Sequence, residues 1–288
     1  MIGSQGWGRF HTSIMAARRR LWLVGVLLVV GAVVAVPVGI AAHFMIGQAV
    51  GRTTVVENAD GSERTVYWRE YPGTAGLDPQ EVLEGPTPEE GYAAGQNMVA
   101  EIRKALTKEL QLKWAPAPSG QNNAESFTDR TQNYFGGESL LTAVNAPASH
   151  STSVPRAWTD KQRAIKIIGA VTARHGYSPP TLDSYDLWSE EQRISDLGGA
   201  TPETQVILSG SVHGPAGQWL MFTFQDLSKD TEGRFEERLR PPDGSDWQPN
   251  TLRIGYGANG LLREADREEF RRRLEPFAGM EAPAPLET

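Results

Sequence analysis

Residues 21–42, LWLVGVLLVVGAVVAVPVGIAA, run for 22 positions without a charged side chain. A bilayer hydrocarbon core of about 30 Å takes about 20 helical residues at about 1.5 Å each, so the run is long enough to span one. Its glycines and Pro37 suit a membrane helix, and Trp22 stands at its start, where indole rings favour the interface. A cleaved signal peptide is the alternative. Its apolar stretch is shorter, about 7–15 residues, and ends in small residues, for which Gly39-Ile40-Ala41 would serve. The length of the run favours retention. Arg18, Arg19 and Arg20 abut it on the N-terminal side, and only Arg52 follows closely on the other. The positive-inside rule then orients the chain, with 1–20 as a cytoplasmic basic tail and 51–288 outside the cell membrane.

Charge divides the chain at the same place. Residues 1–50 hold four arginines and no acid; the remainder has 24 basic and 35 acidic residues, a balance of −11. Such a domain repels phosphates, so nucleic acid is excluded as a partner. The chain has no cysteine. That removes disulfide scaffolds, thiolate metal sites, cysteine nucleophiles and acylated-cysteine anchors.

Past residue 50, two Val/Thr-rich runs at 53–57 and 64–69 flank Asp60-Gly61 and predict a hairpin. Together with a Pro/Gly-rich linker they make up residues 51–84. A domain follows over 85–277, and a loose Pro/Ala/Glu-rich tail over 278–288. Thr87-Pro88-Glu89-Glu90 opens a helix with Tyr92, Val99, Ile102, Leu106 and Leu110 on one face. A second helix starts at a capping box of Thr159 and Gln162 and closes at Gly176. Strands are predicted at 139–146, 182–188, 204–213, 218–226 and 252–256, with the 204–226 pair as a central hairpin, and a short helix follows at 265–274. Adjacent strands with helices set apart indicate α+β. The expected architecture is an N-terminal transmembrane helix plus one extracytoplasmic domain, its antiparallel sheet packed by two or three helices.

Reactive motifs are scarce. Gly255, Gly257 and Gly260 match a dinucleotide-binding glycine pattern, but only 28 residues follow, too few to complete a βαβ unit; a strand-to-helix turn is the expected role. His11, His43, His150, His175 and His213 show no metal-ligand spacing, and no cofactor site is readable. Ser209, Ser211 and His213 could form a Ser/His pair, without the sequence order of a nucleophile elbow. The paired acids Glu89-Glu90, Glu190-Glu191 and Glu268-Glu269 read as helix-start or solvated residues rather than a glycosidase pair. Aromatics beside prolines, at element edges or in polar loops are the better interaction signal: Trp114, Tyr134, Phe135, Trp158 and Trp247 are the candidate binding residues.

Residues 158–177 (WTDKQRAIKIIGAVTARHGY), followed by Asp186-Leu187-Trp188, TQVILSGSV and QWLMFTF, resemble the LppA-like lipoproteins of actinobacteria over about 85–277. The resemblance implies an envelope-facing α+β domain of no established activity and carries over no functional residue. That family is anchored through a lipidated cysteine, which this chain lacks. The function expected is a single-pass envelope protein, not an enzyme, displaying an acidic binding or assembly domain for an envelope protein or small molecule. The alternatives are an anchored hydrolase and an accessory subunit of a membrane complex.

Overall fold

A computed structural model describes residues 51–57, 60–116, 126–240 and 247–286. The run at 21–42 and Arg18, Arg19 and Arg20 lie outside the described residues. The expected fold class is corrected accordingly. Among the described residues no helix is long and apolar enough to cross a membrane. The longest, of 23 residues, is apolar on one face only, with acids and lysines on the other. What the described residues form is an α+β arrangement of one antiparallel sheet with helices.

The main sheet has the order β3-β4-β8-β7-β6, with β5 also on β8. These strands are β3 (Phe127–Asp129), β4 (Leu141–Asn145), β5 (Ser149–His150), β6 (Ile207–His213), β7 (Gln218–Asp226) and β8 (Asn250–Leu262). A separate hairpin joins β1 (Thr53–Glu57) to β2 (Glu63–Tyr67). The described residues also form seven α-helices, besides short 3-10 turns: α1 (Pro79–Glu84), α2 (Pro88–Leu110), α3 (Trp158–Ala173), α4 (Asp183–Asp186), α5 (Glu190–Leu197), α6 (Arg234–Leu239) and α7 (Arg267–Leu274).

Alternation in β6 and β7 decides where the core sits. Leu208, Val212, Leu220, Phe222 and Phe224 are fully buried beneath α2 and α3, against Met98, Ile102, Leu106, Ala164 and Ile168. Val206, just before β6, is fully buried as well, so the predicted central hairpin does carry much of the buried apolar surface. Their register pairs Ile207 with Gln225 and His213 with Trp219. The opposite face carries Ser209, Ser211 and His213 beside Trp219, Met221 and Thr223, and Met221 is 46% exposed.

Helix α2 starts as its capping box dictates. The Glu90 N–H donates to the Thr87 hydroxyl at 3.3 Å, and the Thr87 N–H to the Glu90 carboxylate at 2.9 Å. Its glycines do more than loosen its first turns: a Cβ on Gly95 would lie 2.2 Å from the Tyr256 ring, so glycine lets α2 settle onto β8. Helix α3 departs from expectation at its start. Its N-cap is Ala157, with no side-chain cap, and the Thr159/Gln162 box is unused.

Two further expectations are corrected. The strand predicted at 182–188 contains α4 instead, because the Asp186 side chain bonds local backbone and Ser184 bonds across to β6. The Asp186 carboxylate accepts the Leu182 N–H at 3.2 Å. The Ser184 hydroxyl both accepts from the Ser209 N–H at 2.9 Å and donates to the Ser209 carbonyl at 3.1 Å. With Thr181 paired to Ser211, this segment covers the edge of β6. The glycine pattern at 255–260 is not a turn, since β8 runs straight through it. Gly257 is glycine because the Trp219 indole lies across it; a Cβ would stand 2.2 Å from the ring.

Two smaller cores flank the sheet. One gathers Val66, Trp68, Tyr71, Phe135 and Phe277; the other gathers Val82, Leu140, Leu141, Leu262 and Phe270.

Candidate functional site

The sheet face turned away from α2 and α3 ends in a cleft of about 610 Å³. Trp219 of β7 and His213 of β6 come from the sheet, and Asn259 from β8. One wall is the segment 74–78 with Glu81 of α1, and the other is the loop 131–134. Among the described residues no lysine or arginine lines it.

Asn133, fully buried, fixes the loop wall. Its Nδ2 lies 3.1 Å from each of the Trp68, Arg69 and Tyr71 carbonyl oxygens. Its Oδ1 accepts from the Phe135 N–H at 2.8 Å and the Gly137 N–H at 3.0 Å. Clamped beside it, Tyr134 adopts a left-handed backbone, φ 62°, which costs a non-glycine residue of order 1–3 kcal/mol and persists because Asn133 over-determines the loop. The Tyr134 side chain stays 44% exposed at the cleft.

The two walls are joined to each other and to the sheet. The Thr74 hydroxyl donates to the Gln132 carbonyl at 3.1 Å, and the Ala75 N–H to the Asn133 carbonyl at 3.2 Å. Asp78 caps α1 by accepting the Gln80 N–H at 2.8 Å, and Glu81 Oε2 accepts the Ala216 N–H at 3.3 Å. Both carboxylates thus stand on one wall, each with one oxygen engaged. Behind the cleft, Gln218 Oε1 accepts from the Tyr177 hydroxyl at 3.3 Å and the Tyr256 hydroxyl at 3.1 Å. Burial pushes the Tyr256 phenol up to about 12 and that of Tyr177 higher still, so both stay protonated.

Four polar groups that line the cleft hold no hydrogen bond to any described residue: the side-chain amides of Gln132 and Asn259, the Tyr134 hydroxyl and the Trp219 indole N–H. Two carboxylates, two aromatic rings and these four groups can bind a polar ligand with an apolar face.

The Ser/His pair is partly assembled. Ser211 Oγ lies 3.3 Å from His213 Nε2. Ser211 is only 4% exposed, does not line the cleft, and lies 3.4 Å from Thr181 Oγ1. The acid that is hydrogen-bonded into this series stands at its wrong end. Asp183 accepts from Thr181 at 2.7 Å, on the serine side, whereas a nucleophilic triad needs its carboxylate behind the imidazole. Ser209 bonds Thr223 at 3.0 Å instead. Among the described residues no group of three or more His, Asp or Glu could hold a metal ion.

Of the aromatics singled out from sequence, only Tyr134 lines the cleft. Phe135 is 1% exposed in the small aromatic core. Trp114 and Trp158 pack against the main core, and Arg103 lies 5.2 Å over the Trp114 ring. Trp247 lies beneath Arg240 at 5.5 Å. Of the other histidines, His150 is held below its usual range by burial and by Arg253, and His175 stands 3.6 Å from Glu101. Asp78, Glu81, Gln132, Trp219 and Asn259 had no local signal beyond the Asp78-Pro79 helix start. Comparison with protein-family models, with curated proteins and with solved structures finds no match.

Proposed function

We propose that this chain is a non-enzymatic binding protein of the cell envelope, attached to the membrane through its apolar run at 21–42, whose domain takes a ligand in the cleft around Trp219. The envelope location rests on the run itself, on Arg18, Arg19 and Arg20 beside it, and on the resemblance to LppA-like lipoproteins. The observation that carries the binding reading is the convergence of unpaired polar groups and two aromatic rings from separate stretches of chain in one cleft. Gln132, Tyr134 and Asn259 are exposed and Trp219 is partly buried, so a ligand can take up these groups' hydrogen bonds in place of water.

One experiment separates this reading from its rival. The full chain, solubilised from membranes, is incubated with cell-envelope extract, and retained components are identified by mass spectrometry. Wild type should retain a component that Trp219→Ala and Asn259→Ala lose and Ser211→Ala keeps. An anchored hydrolase is the second reading, favoured by the 3.3 Å Ser211–His213 approach. It would replace the first if wild type released a product from the extract that Ser211→Ala and His213→Ala both failed to release.

A further inference from the structure

We infer that the Trp219 cleft is a saccharide site, selective for sugars without an anionic group and accepting amine-bearing ones. The inference rests on the reading of this cleft as the binding site and names the class of its ligand.

Charge removes the first alternatives. Asp78 and Glu81 line the cleft and no described lysine or arginine does, so a phosphate, sulfate or uronate would meet two carboxylates with no cation among the described lining residues to offset them. An acyl chain is excluded by the opposite argument. It would strip water from both carboxylates and from the unpaired amides of Gln132 and Asn259 and return no hydrogen bond. An extended peptide would need an open strand edge, and the neighbouring edge of β6 is already occupied by the 178–184 segment.

A pyranose ring fits what is left. It has an apolar C–H face and a rim of hydroxyls. Trp219 lies across Gly257, partly buried and lining the cleft, and supplies a rigid platform for the C–H face. Tyr134, exposed on the loop wall, is a second aromatic surface whose strained backbone is set by Asn133 rather than by the ring itself. The hydroxyl rim would meet acceptors at the remaining oxygens of Asp78 and Glu81, and donors and acceptors at Asn259, Gln132 and the Tyr134 hydroxyl. A protonated amine on the sugar would gain from the carboxylates and the ring faces together. The cleft volume lies within the range of about 300–1,000 Å³ usual for small-ligand sites and exceeds one sugar ring. Both carboxylates stand on the same wall, whereas glycosidic hydrolysis needs two that flank the scissile bond, so the sugar is held and not cut.

The test is calorimetric titration of the full chain in a polyoxyethylene detergent, which carries no sugar headgroup. The probes are trimers of N-acetylglucosamine, of glucosamine and of galacturonic acid. The N-acetylglucosamine trimer should bind, the glucosamine trimer should bind at least as tightly, and the galacturonic trimer should give no heat. Trp219→Ala should weaken binding at least tenfold and Trp219→Phe much less. Because Trp219→Ala could disturb the sheet, Asn259→Ala is the second variant: its side chain holds no internal hydrogen bond, so it should lose several-fold in affinity at an unchanged melting temperature. The inference is overturned if none of the trimers binds, if the galacturonic trimer binds best, or if both alanine variants bind as wild type does. Should no trimer bind while Trp219→Ala still loses its envelope component, the cleft is the binding site and its ligand is not a sugar. Should Trp219→Ala lose neither, the binding reading falls as well.

Discussion

Two buried polar sites define where single substitutions will be felt most. Lys161 of α3 and Asp226 at the end of β7 form an ion pair 2.8 Å long at 1% and 0% exposure. Asp226 also accepts from the Ser228 hydroxyl at 2.6 Å and the Ser228 N–H at 3.2 Å. Removing one partner leaves an uncompensated charge in the core, at a cost of about 3–5 kcal/mol. Lys161→Ala should therefore lower stability to chemical denaturation severely. Lys161→Met combined with Asp226→Leu should recover much of the loss but not all, because the Ser228 donors stay orphaned. A double variant weaker than both singles would refute this account. Asn133 is the second such site. In Asn133→Asp a carboxylate oxygen would replace the amide nitrogen 3.1 Å from three carbonyls, turning attraction into repulsion. That variant should unfold at lower denaturant than Asn133→Ala, although it is the closer isostere, and both should loosen Tyr134.

At the scale of elements, local chemistry predicts well where it acts alone. The helix start at Thr87, the apolar alternation of β6 and β7 and the left-handed Gly176 were all legible, because each signal is confined to a few neighbouring residues. It fails where a distant element decides. The glycines of β8 resemble a turn until the Trp219 ring is placed over Gly257, and α4 resembles a strand until Ser184 is seen capping the edge of β6. Gly95 gives a test in which propensity and packing oppose each other. Alanine favours an exposed helix over glycine by about 0.8–1 kcal/mol, but here its Cβ would meet Tyr256 at 2.2 Å, and overpacking costs typically 1–3 kcal/mol. Gly95→Ala should thus destabilise, and a raised melting temperature would show that α2 can lift from β8 freely. The β3–β4 pair offers a pH test. The Thr142 hydroxyl, bonded at 2.7 Å, is the largest influence on the Asp129 carboxyl; burial opposes it, and with Arg263 added the carboxyl is held below its usual range. The folded state therefore favours the carboxylate. Its contribution is complete above the unfolded value of about 3.9 and is lost as pH falls through the lower folded value. Asp129 is half exposed, so the effect is at most about 1 kcal/mol. Urea denaturation from pH 5 to 2 should show that slope, and Asp129→Asn should flatten it.

For the molecule as a whole, the candidate site was the part least legible in the sequence. Tyr134 and His213 had local signals, an aromatic in a polar loop and a histidine at a turn. Asp78, Gln132, Trp219 and Asn259 had none that pointed to a common place, since they converge only when the 74–81 segment folds against the far end of the sheet. A second long-range junction lies behind Tyr134. Arg52 donates from Nε to the Ala284 carbonyl at 3.0 Å and from Nη2 to the Pro285 carbonyl at 3.2 Å. The Arg52 N–H bonds the Phe135 carbonyl at 3.0 Å, and the Leu286 N–H bonds the carbonyl of Tyr134 itself at 2.8 Å. Residues from both ends of the described chain thus brace the loop that presents Tyr134, while Phe277 fills the aromatic core against Trp68 at 4.9 Å. Deleting residues 281–288 removes the C-terminal braces, leaving the Arg52 N–H bond to Phe135 and Phe277 itself in place. Each lost exposed hydrogen bond is worth about 0.5–1.5 kcal/mol, and the main core under α2 and α3 is untouched. Global unfolding should therefore shift little. Amide exchange at residues 134–137 and in the β1–β2 hairpin should rise, because local opening there no longer breaks those bonds. Ligand affinity should fall several-fold, since an unbraced Tyr134 must be ordered at the moment of binding. If exchange rose at 134–137 while affinity held, Tyr134 would be a bystander and the cleft would bind through Trp219 and Asn259 alone.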